Sequence, residues 1–355
     1  MQDFSSLKVA ILGTGANGSS VGADLTKAGL DTTLIDQWPA HVEAMKENGL
    51  DITLPDEHLK IPVNAWHLCK LAEHAPLFDV VFVACKAYDT RWLVLLIEPY
   101  LKEDGLCVGL QNSMNHTIIA DVVGAERTIG AAVELSSALF MPGVVTRNTT
   151  RLGTWFGFGE IDGTISPRAE RVRSIIANVA KAELVENIES AKWTKLVCNC
   201  MNRPIGLTGL RNFKAKELPG MSEIAVQLGR EARAVGEALG YELQPIFGLT
   251  EDDFAKEGIA EKSDDALLMF KSTLLNHIGP VAKTAAIHDY LKGRRTETGD
   301  ISGLVARKGK ELGIPVPLNT AVADIDRRIT AGELDMDVSN LGLLKSMLES
   351  IPNRV

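Results

Sequence analysis

The chain has 355 residues, of which 37 are basic and 46 are acidic, and its formal net charge is −9. A chain of this length can fold as two domains with separate cores, and an acidic balance without a basic cluster argues against nucleic acid as a partner. No apolar run approaches the ~20 residues that cross a membrane, so we expect no membrane association.

The cysteines predict the cellular compartment. There are five, an odd number, and only six residues precede the first apolar run, so we expect a reduced, cytoplasmic protein without a signal peptide. Cys198 and Cys200 are close in sequence but have no second Cys/His pair nearby. This favours buried thiols, and we expect no metal site.

The first predicted strand, residues 7–12, ends in a glycine-rich turn. The turn residues are Gly13, Thr14, Gly15, Ala16, Asn17 and Gly18. In a GxGxxG pattern the first glycine allows a tight turn, the second lets the backbone approach a pyrophosphate, and the third lets helix and strand pack closely. A helical pattern and a second strand follow, as this motif requires. The turn predicts a dinucleotide site, with an incidental glycine turn as the alternative.

The second predicted strand, residues 31–36, ends in Asp36. This carboxylate comes 18 residues after Gly18, close to the spacing at which an acidic side chain binds the adenosine ribose hydroxyls. It would repel a 2′-phosphate, and the next three residues carry no positive charge. We therefore predict NAD as the cofactor, with NADP as the alternative. The other interpretation of Asp36 is an N-cap of the helix at residues 39–48.

Three further apolar runs continue the βα alternation, at residues 79–84, 106–110 and 128–133. Lys86 follows the first of these runs, and Asn112 follows the second. Ligands bind at the carboxyl ends of the strands in open α/β sheets, so both side chains are candidates for the site. The domain is predicted to end with two antiparallel strands, a helix and a last strand, at residues 144–146, 153–157, 167–182 and 184–185.

From residue 191 onward the pattern is helical almost throughout. The predicted helices lie at residues 221–239, 265–275, 298–312 and 318–331, and a charged stretch at 250–262 fits a loop or short helix. We predict an α/β fold, with a Rossmann-type NAD(P)-binding domain at residues 1–188 and an all-helical substrate and dimerisation domain at residues 189–355. A cleft between the two is the expected place for a small-molecule ligand. Apolar stretches at 267–270 and 341–348 fit either a homodimer interface or core packing.

One helix of the second domain, predicted at residues 193–204, carries polar side chains where core residues are expected. Lys195 and Asn199 are four residues apart, so both lie on one face. A lysine beside a nicotinamide can protonate the alkoxide oxygen that forms when a carbonyl accepts a hydride.

At these residues the sequence resembles the ketopantoate reductase family. The resemblance covers most of the chain and rests on motifs in a fixed order: GTGANG, CKAYDT, LQNS, WTKLVCN, GRRTETGDISG and GIPVP. It implies an oxidoreductase that moves a hydride between a nicotinamide and a small 2-oxo or 2-hydroxy acid. It further implies that Lys195 is the general acid and that Lys86 and Asn112 border the nicotinamide. The resemblance also implies that Asn199, Glu297 and Asn112 bind the substrate.

Each of these residues also has a plainer interpretation. Lys86 fits a solvated lysine at a strand end, Lys195 fits a solvated lysine on a helix, and Asn112 fits a turn former. Glu297 lies among arginines in the sequence, so a salt-bridged surface helix is its alternative.

Two positions depart from the family pattern. The asparagine expected eight residues after the lysine is Arg203 here, with Asn202 one place earlier. The serine expected twelve residues before the glutamate, which helps to hold the substrate carboxylate in the family, is Ala285 here. Because an arginine can bind a carboxylate bidentately, Arg203 is interpreted as a substrate-binding substitute for the serine. An arginine turned outwards and paired with an acidic residue is the alternative.

These departures, together with Asp36, predict an NAD-preferring member of the family whose substrate is a 2-oxo or 2-hydroxy acid other than ketopantoate. Within the same class, the alternative is an NADPH-dependent 2-dehydropantoate 2-reductase. From a different class, the alternative is a non-catalytic NAD-binding redox sensor.

Overall fold

The computed structural model describes residues 6–244 and 283–351. The chain divides into two compact units, Met1–Glu189 and Ser190–Val355. The first is a mixed α/β unit and the second is helical, which confirms the predicted fold class. The predictions at residues 250–262, 265–275 and 267–270 lie outside the described residues.

Twelve strands occur among the described residues, all of them in the first unit. They are β1 Lys8–Leu12, β2 Asp31–Asp36, β3 Leu50–Thr53, β4 His58–Ile61, β5 Asn64–His67, β6 Phe78–Val83, β7 Leu101–Gly109, β8 Thr128–Glu134, β9 Ser137–Met141, β10 Val144–Arg147, β11 Trp155–Gly159 and β12 Lys181–Leu184. Eight form the main sheet, in the order β12-β11-β8-β7-β6-β1-β2-β5. From β8 to β5 all neighbours are parallel, and β11 joins β8 in the antiparallel sense.

The strand order reverses direction at β1. The chain runs from β1 through β2 to β5 on one side, and from β6 through β7 to β8 on the other. Such a switch point leaves a crevice at the carboxyl ends of the central strands, where open α/β sheets bind ligands. The turns that follow β1, β6 and β7 are therefore the positions of interest.

The helices of the first unit cover both faces of the main sheet. They are α1 Ala16–Lys27, α2 Pro39–Asn48, α3 Lys70–His74, α4 Thr90–Ile97, α5 Asn115–Val123 and α6 Pro167–Ile176. Alternate residues of β1 enter opposite cores: Val9 and Ile11 pack in one cluster, and Ala10 and Leu12 pack in the other. Burial on both faces explains why the central strands are continuous apolar runs.

A second sheet of four strands, in the order β4-β3-β10-β9, was not predicted. The strand predicted at residues 144–146 does pair in the antiparallel sense, but its partner β9 belongs to this smaller sheet. The sheet packs on α1, where Arg147 of β10 binds Asp24 at 2.8 Å. Its strands are short and partly exposed, so they lack the apolar runs that reveal the central strands.

The helix predicted at residues 167–182 is shorter than expected. It ends at Ile176, whose carbonyl oxygen accepts the N–H groups of Val179 and Ala180 in a closing turn. The Nδ2 of Asn178 caps the carbonyl oxygen of Ile175 at 2.9 Å. The chain then forms β12, which pairs in parallel with β11. The helix ends early because the Asn178 side chain caps it, although the spacing of apolar residues would allow it to continue.

The second unit contains the remaining described helices. They are α7 Ile188–Leu207, which begins two residues before the unit boundary, α8 Asn212–Lys216, α9 Met221–Ala238, α10 Ala285–Leu291, α11 Ser302–Leu312, α12 Pro317–Thr330 and α13 Ser339–Glu349. Leu341, Leu344 and Leu348 of α13 are buried within the chain, so this apolar face is core. None of the described helices is long and apolar enough to span a membrane.

Candidate active site

The glycine turn joins β1 to α1, and two of its glycines are required by contacts inside the protein. Gly13 has a φ of +90°, and a Cβ there would lie 2.7 Å from the backbone of Cys85. A Cβ on Gly18 would lie 2.2 Å from the carbonyl oxygen of Gly13. The first glycine therefore permits the turn, and the third permits close packing of the helix on the strand.

Gly15 is different, because a Cβ added there meets no protein atom within 4 Å. It is the N-cap of α1, and no side chain caps the free backbone N–H groups of the first turn. Open space in front of unfilled N–H groups at a helix N-terminus is what a pyrophosphate needs. The residues of this turn thus fit the dinucleotide predicted for them.

Asp36 holds the glycine turn in place. Its Oδ2 accepts the backbone N–H of Thr14 at 2.6 Å and the Thr14 hydroxyl at 3.1 Å, and its Oδ1 accepts the N–H of Trp38 at 2.8 Å. The N-cap of α2 is Trp38, so the interpretation of Asp36 as that N-cap is wrong. A carboxylate has about four acceptor positions. Three are used here, which leaves capacity for a ribose hydroxyl.

His41 of α2 also supports the turn, although no sequence pattern indicates it. Its Nδ1 accepts the N–H of Gly143 at 2.9 Å, so the proton of the ring is on Nε2, which lies 2.9 Å from the carbonyl oxygen of Thr14. The Ser19 hydroxyl donates to the same oxygen at 2.7 Å. Both backbone groups of Thr14 are therefore hydrogen-bonded, the N–H to Asp36 and the carbonyl oxygen to His41 and Ser19. The His41 ring also links the glycine turn to Gly143 in the second sheet.

Lys86 and Asn112 lie in adjacent turns, because Val83 of β6 pairs with Leu12 on one side and with Gly109 on the other. Both side chains are half-buried. The two turns are joined by Gln111, whose Nε2 donates to the Thr90 hydroxyl at 2.9 Å. The structure thus brings the glycine turn, Lys86 and Asn112 together at one edge of the sheet.

The backbone after Asn112 is strained. Ser113 has a φ of +64°, in the left-handed region that favours glycine, and the Asn112 carbonyl oxygen accepts the Asn115 side chain at 2.6 Å. Non-glycine residues in this conformation cluster at functional sites, where the surrounding structure holds them.

A second carboxylate lies beside the strand that ends in Asp36. Asp89 accepts the Trp92 indole N–H at 2.9 Å and the Gln37 amide at 3.4 Å. The region that follows β2 therefore has two carboxylates near it, and Gln37 is tied to the second of them.

In the second unit, α7 presents two chemically different faces. Trp193 and Met201 pack on α9 at Gly236 and Gly229, where a Cβ would come within 2.1 Å and 3.0 Å of their side chains. At 100° per residue, Lys195 and Asn199 lie on the opposite side of the helix from this contact. Both are partly exposed, as residues that meet a ligand must be.

Lys192 lies on the same face of α7, three residues before Lys195, and it was not singled out from the sequence. Only 3% of its surface is exposed. Burial disfavours the charged ammonium group and lowers the pKa of Lys192 to about 7. The only signal in the sequence was its spacing from Lys195.

Arg203 continues this face of α7 and lies about two helical turns after Lys195. It is 7% exposed, so the structure contradicts the alternative in which it turns outwards. Its guanidinium makes no hydrogen bond or ion pair with another described residue. Burial raises the pKa of the Tyr290 phenol, and the nearby positive charge of Arg203 acts in the opposite direction and lowers it.

Ala285 and Arg203 belong to neighbouring segments. A Cβ on Gly206, three residues after Arg203 on α7, would lie 2.9 Å from the Cβ of Ala286 and 3.3 Å from the Thr284 hydroxyl. The structure thus brings together the two positions at which the sequence departs from the family pattern.

Glu297 is 6% exposed, which contradicts the alternative of a salt-bridged surface helix. Its loop is anchored by the Thr296 hydroxyl, which donates to Asp326 at 2.7 Å, and Tyr290 donates to the same carboxylate oxygen. Burial raises the pKa of Asp300, and the neighbouring charge of Glu297 raises it further. Glu297 is therefore a buried carboxylate in a loop that Asp326 holds in place.

The cysteines form no disulfide, and Cys198 and Cys200 are both buried in α7. Burial raises the pKa of the Cys200 thiol to about 12. In the part of the chain that the structure describes, no three His, Cys, Asp or Glu side chains are grouped to hold a metal ion.

Comparison with known protein families identifies this arrangement. The model described as "Ketopantoate reductase PanE/ApbA" matches residues 9–160, and the model of the corresponding C-terminal domain matches residues 187–329. The chain belongs to the ketopantoate reductase PanE/ApbA family. It is a nicotinamide-dependent oxidoreductase that acts on CH–OH groups, so the alternative of a non-catalytic redox sensor is set aside.

Individual relatives agree with the family over nearly the whole chain. A 2-dehydropantoate 2-reductase from Archaeoglobus fulgidus is 27% identical over 333 residues, covering 92% of this chain and 98% of that protein. A PanE/ApbA family ketopantoate reductase from Ralstonia eutropha JMP134 has a TM-score of 0.75 at 25% identity, over 92% of this chain and 99% of that one.

A third relative shares the fold. The ternary structure of D-mandelate dehydrogenase with NADH and anilino(oxo)acetate has a TM-score of 0.79 at 20% identity, and the alignment covers 92% of this chain and 99% of that one. The fold is therefore shared by a D-mandelate dehydrogenase and a ketopantoate reductase.

Proposed function

We propose that the protein interconverts a 2-oxo acid and the corresponding 2-hydroxy acid, prefers NAD to NADP, and has a substrate other than ketopantoate. The observation that carries this proposal is the face of α7, on which the partly exposed Lys195 and Asn199 are followed by the buried Arg203. The first two are the lysine and asparagine expected in this family, and the third is not.

The residues of the first unit are proposed to hold the cofactor. The N–H groups at Gly15 and the start of α1 bind the pyrophosphate, Asp36 binds a ribose hydroxyl, and Lys86 and Asn112 border the nicotinamide. When bound, the nicotinamide supplies the hydride chemistry. Gln111 and Thr90 keep the turns that carry Lys86 and Asn112 in register.

The residues of the second unit are proposed to hold the substrate and to move the proton. Lys195 donates a proton to the carbonyl oxygen during reduction and takes it back during oxidation. Asn199, one helical turn further on, and the buried carboxylate of Glu297 hydrogen-bond the substrate, together with Asn112. Lys192, three residues from Lys195 on the same face, is buried, and burial lowers its own pKa to about 7.

The preference for NAD rests on the two carboxylates beside β2. A 2′-phosphate would bring added negative charge close to Asp36, and Asp89 is held nearby through Gln37. The D-mandelate dehydrogenase that shares this fold was studied with NADH, which supports the same preference.

The proposal of a different substrate rests on Arg203 and Ala285. The alternative is the activity in the name of the Archaeoglobus fulgidus relative, a 2-dehydropantoate 2-reductase. The alternative requires the ketopantoate-binding face to tolerate a guanidinium in place of an asparagine and a methyl group in place of a hydroxyl.

A panel of 2-oxo acids that includes ketopantoate, assayed with NADH and NADPH, tests the proposal. We expect an acid other than ketopantoate to be reduced best, and faster with NADH. Lys195→Ala should lower kcat by about 10²–10⁴-fold while NADH binding, measured by fluorescence titration, stays unchanged. The exposed Lys214 of α8 provides the matched control, Lys214→Ala, which should leave kcat unchanged. Ketopantoate with NADPH as the best pair would contradict both parts.

We further propose that the protein works in the cytoplasm as a homodimer. Its five cysteines are thiols rather than disulfides, and Leu343 and Met347 of α13 expose apolar surface. Sedimentation equilibrium of the purified chain decides the second point, since a monomer at micromolar concentration would rule out the dimer.

A further inference from the structure

Arg203 is a buried cation whose guanidinium makes no hydrogen bond or ion pair with another described residue. The ion pairs of the second unit use other cations: Arg233 with Glu237, Lys308 with Glu311, Arg327 with Asp324 and Glu333, and Arg328 with Glu333. Taking a guanidinium out of water without a partner is costly, so such a group is retained where a ligand anion completes it.

Two of the buried carboxylates in this unit have donors other than Arg203. Asp326 accepts the hydroxyls of Tyr290 and Thr296. Glu231 accepts the backbone N–H groups of Leu318 and Asn319 at 3.0 Å and 2.9 Å, where it caps the start of α12. Neither carboxylate is in ion-pair contact with Arg203 among the described residues.

The residues of the segment next to α7 at Arg203 have small side chains. Gly206 lies on the same helical face, against Ala286 and Thr284, and position 285 between them is an alanine. The segment that faces this part of α7 is therefore built from small side chains. Residues 284–286 bring no carboxylate to Arg203, and the buried carboxylate of α10, Asp289, lies further along that helix.

The spacing along α7 decides which end of a substrate Arg203 meets. It lies eight residues after Lys195, and at 1.5 Å per residue this is about 12 Å along the helix axis. Side chains on a helix lean towards its N-terminus, so the head groups of Lys195 and Arg203 shift in the same direction and stay well apart. The carboxylate next to the reacting carbon lies within about 3 Å of the oxygen that Lys195 protonates. A group at the far end of the substrate matches Arg203 better.

We propose that Arg203 binds a second carboxylate, remote from the reacting carbon, and that the substrate is a 2-oxo or 2-hydroxy dicarboxylic acid of four or five carbons. This inference rests on the proposed function and specifies its substrate class. Asn199, midway between Lys195 and Arg203 on the helix, is placed to contact the middle of such a substrate.

Two acids of equal length test the inference: 2-oxopentanedioate, which has a distal carboxylate, and 2-oxopentanoate, which ends in a methyl group. Wild-type kcat/KM should favour the diacid by about 10- to 100-fold, the range expected for one charge-assisted bidentate contact. Arg203→Met should remove that preference by lowering kcat/KM for the diacid far more than for the monoacid, and Arg203→Lys should restore part of it. Arg233→Met, which removes a partly exposed arginine of the same unit that pairs with Glu237, should keep the wild-type preference.

Binding without turnover provides a second readout. Pentanedioate should raise the melting temperature of the wild type and of Arg233→Met, but not that of Arg203→Met, and pentanoate should raise none of them. Equal kcat/KM for the two acids in the wild type, or an equal loss for both in Arg203→Met, would overturn the inference and leave the proposed function standing. If the wild type reduces neither acid, the proposed function fails for this class, and the shift with pentanedioate still decides whether Arg203 binds a distal carboxylate.

Discussion

Arg147 in the first unit and Arg203 in the second are both buried, yet their guanidinium groups have opposite surroundings. The terminal nitrogens of Arg147 donate to Asp24 and Thr154, each at 2.8 Å, and Arg151 adds a second ion pair to Asp24 at 2.8 Å. The guanidinium of Arg203 has no such partner among the described residues. The Nε of both arginines lacks an acceptor, so the difference lies in the terminal nitrogens.

This difference separates a structural charge from one that we propose binds a ligand. Arg147 joins the second sheet to α1 and so supports the helix that starts at the glycine turn. Its cost of burial is offset within the protein, although burial still raises the pKa of Asp24 and lowers the pKa of Arg147. Arg203 has no such offset within the described chain, which is expected of a group that a ligand completes.

The largest expected effect is on Arg147. Arg147→Met leaves Asp24 buried with one partner instead of two and should lower the free energy of unfolding by about 3 kcal/mol. Urea unfolding followed by circular dichroism measures the change. Replacing both residues, with Asp24→Leu added to Arg147→Met, should recover part of the loss, because no buried charge then remains unpaired. An unchanged free energy of unfolding for the single variant would mean that Arg147 is not the link described.

Arg203→Met should have the opposite sign. Removing a buried charge that has no partner should raise the free energy of unfolding by about 1–2 kcal/mol. Hydrogen exchange of peptides from α7 and α10 locates the gain in the second unit, and Arg233→Met at the surface should stay within about 0.5 kcal/mol of wild type. A destabilisation as large as that of Arg147→Met would erase the contrast between the two arginines.

The third effect concerns Lys192 and depends on pH. Its folded pKa of about 7 is lower than the ordinary value of 10.5, so between these pH values the unfolded chain binds the proton and the folded chain does not. Stability contributed by this group therefore rises with pH from about 7 towards 10.5. The unfolding midpoint of Lys192→Met should exceed that of wild type most at pH 7 and below, and the difference should shrink by pH 10. A difference that stays constant across this range would show that burial of the charge is not the cause.

The sequence predicted what depends on local patterns. Parallel strands buried on both faces are apolar runs, so β1, β6, β8 and the second half of β7 could be found from the pattern of apolar residues. The glycine turn follows from backbone sterics at Gly13 and Gly18, and the shared face of Lys195 and Asn199 follows from helical spacing.

The sequence could not supply what depends on packing between elements. His41 contacts Thr14 and Gly143, which are 27 and 102 residues away, and no pattern in the sequence links them. The burial of Lys192 and Arg203 is set by the neighbours of α7 rather than by their own segment. For Arg203 the sequence left two alternatives open, and the exposed fraction decided between them. Asp36 was located correctly, but its bonds to Thr14 depend on how β1 and β2 pair.

The three glycines of the turn differ in how well the fold tolerates their substitution. Gly13 and Gly18 are constrained by the protein's own atoms, so a screen that scores only folding would detect substitutions at both. At Gly15 the backbone has a φ of −60° and the space around a Cβ is open, so alanine is accommodated by the folded chain. If the proposed pyrophosphate binds there, a side chain at that position would meet the ligand and not the protein. Of the three glycines in the turn, it alone carries information about the ligand rather than about the fold.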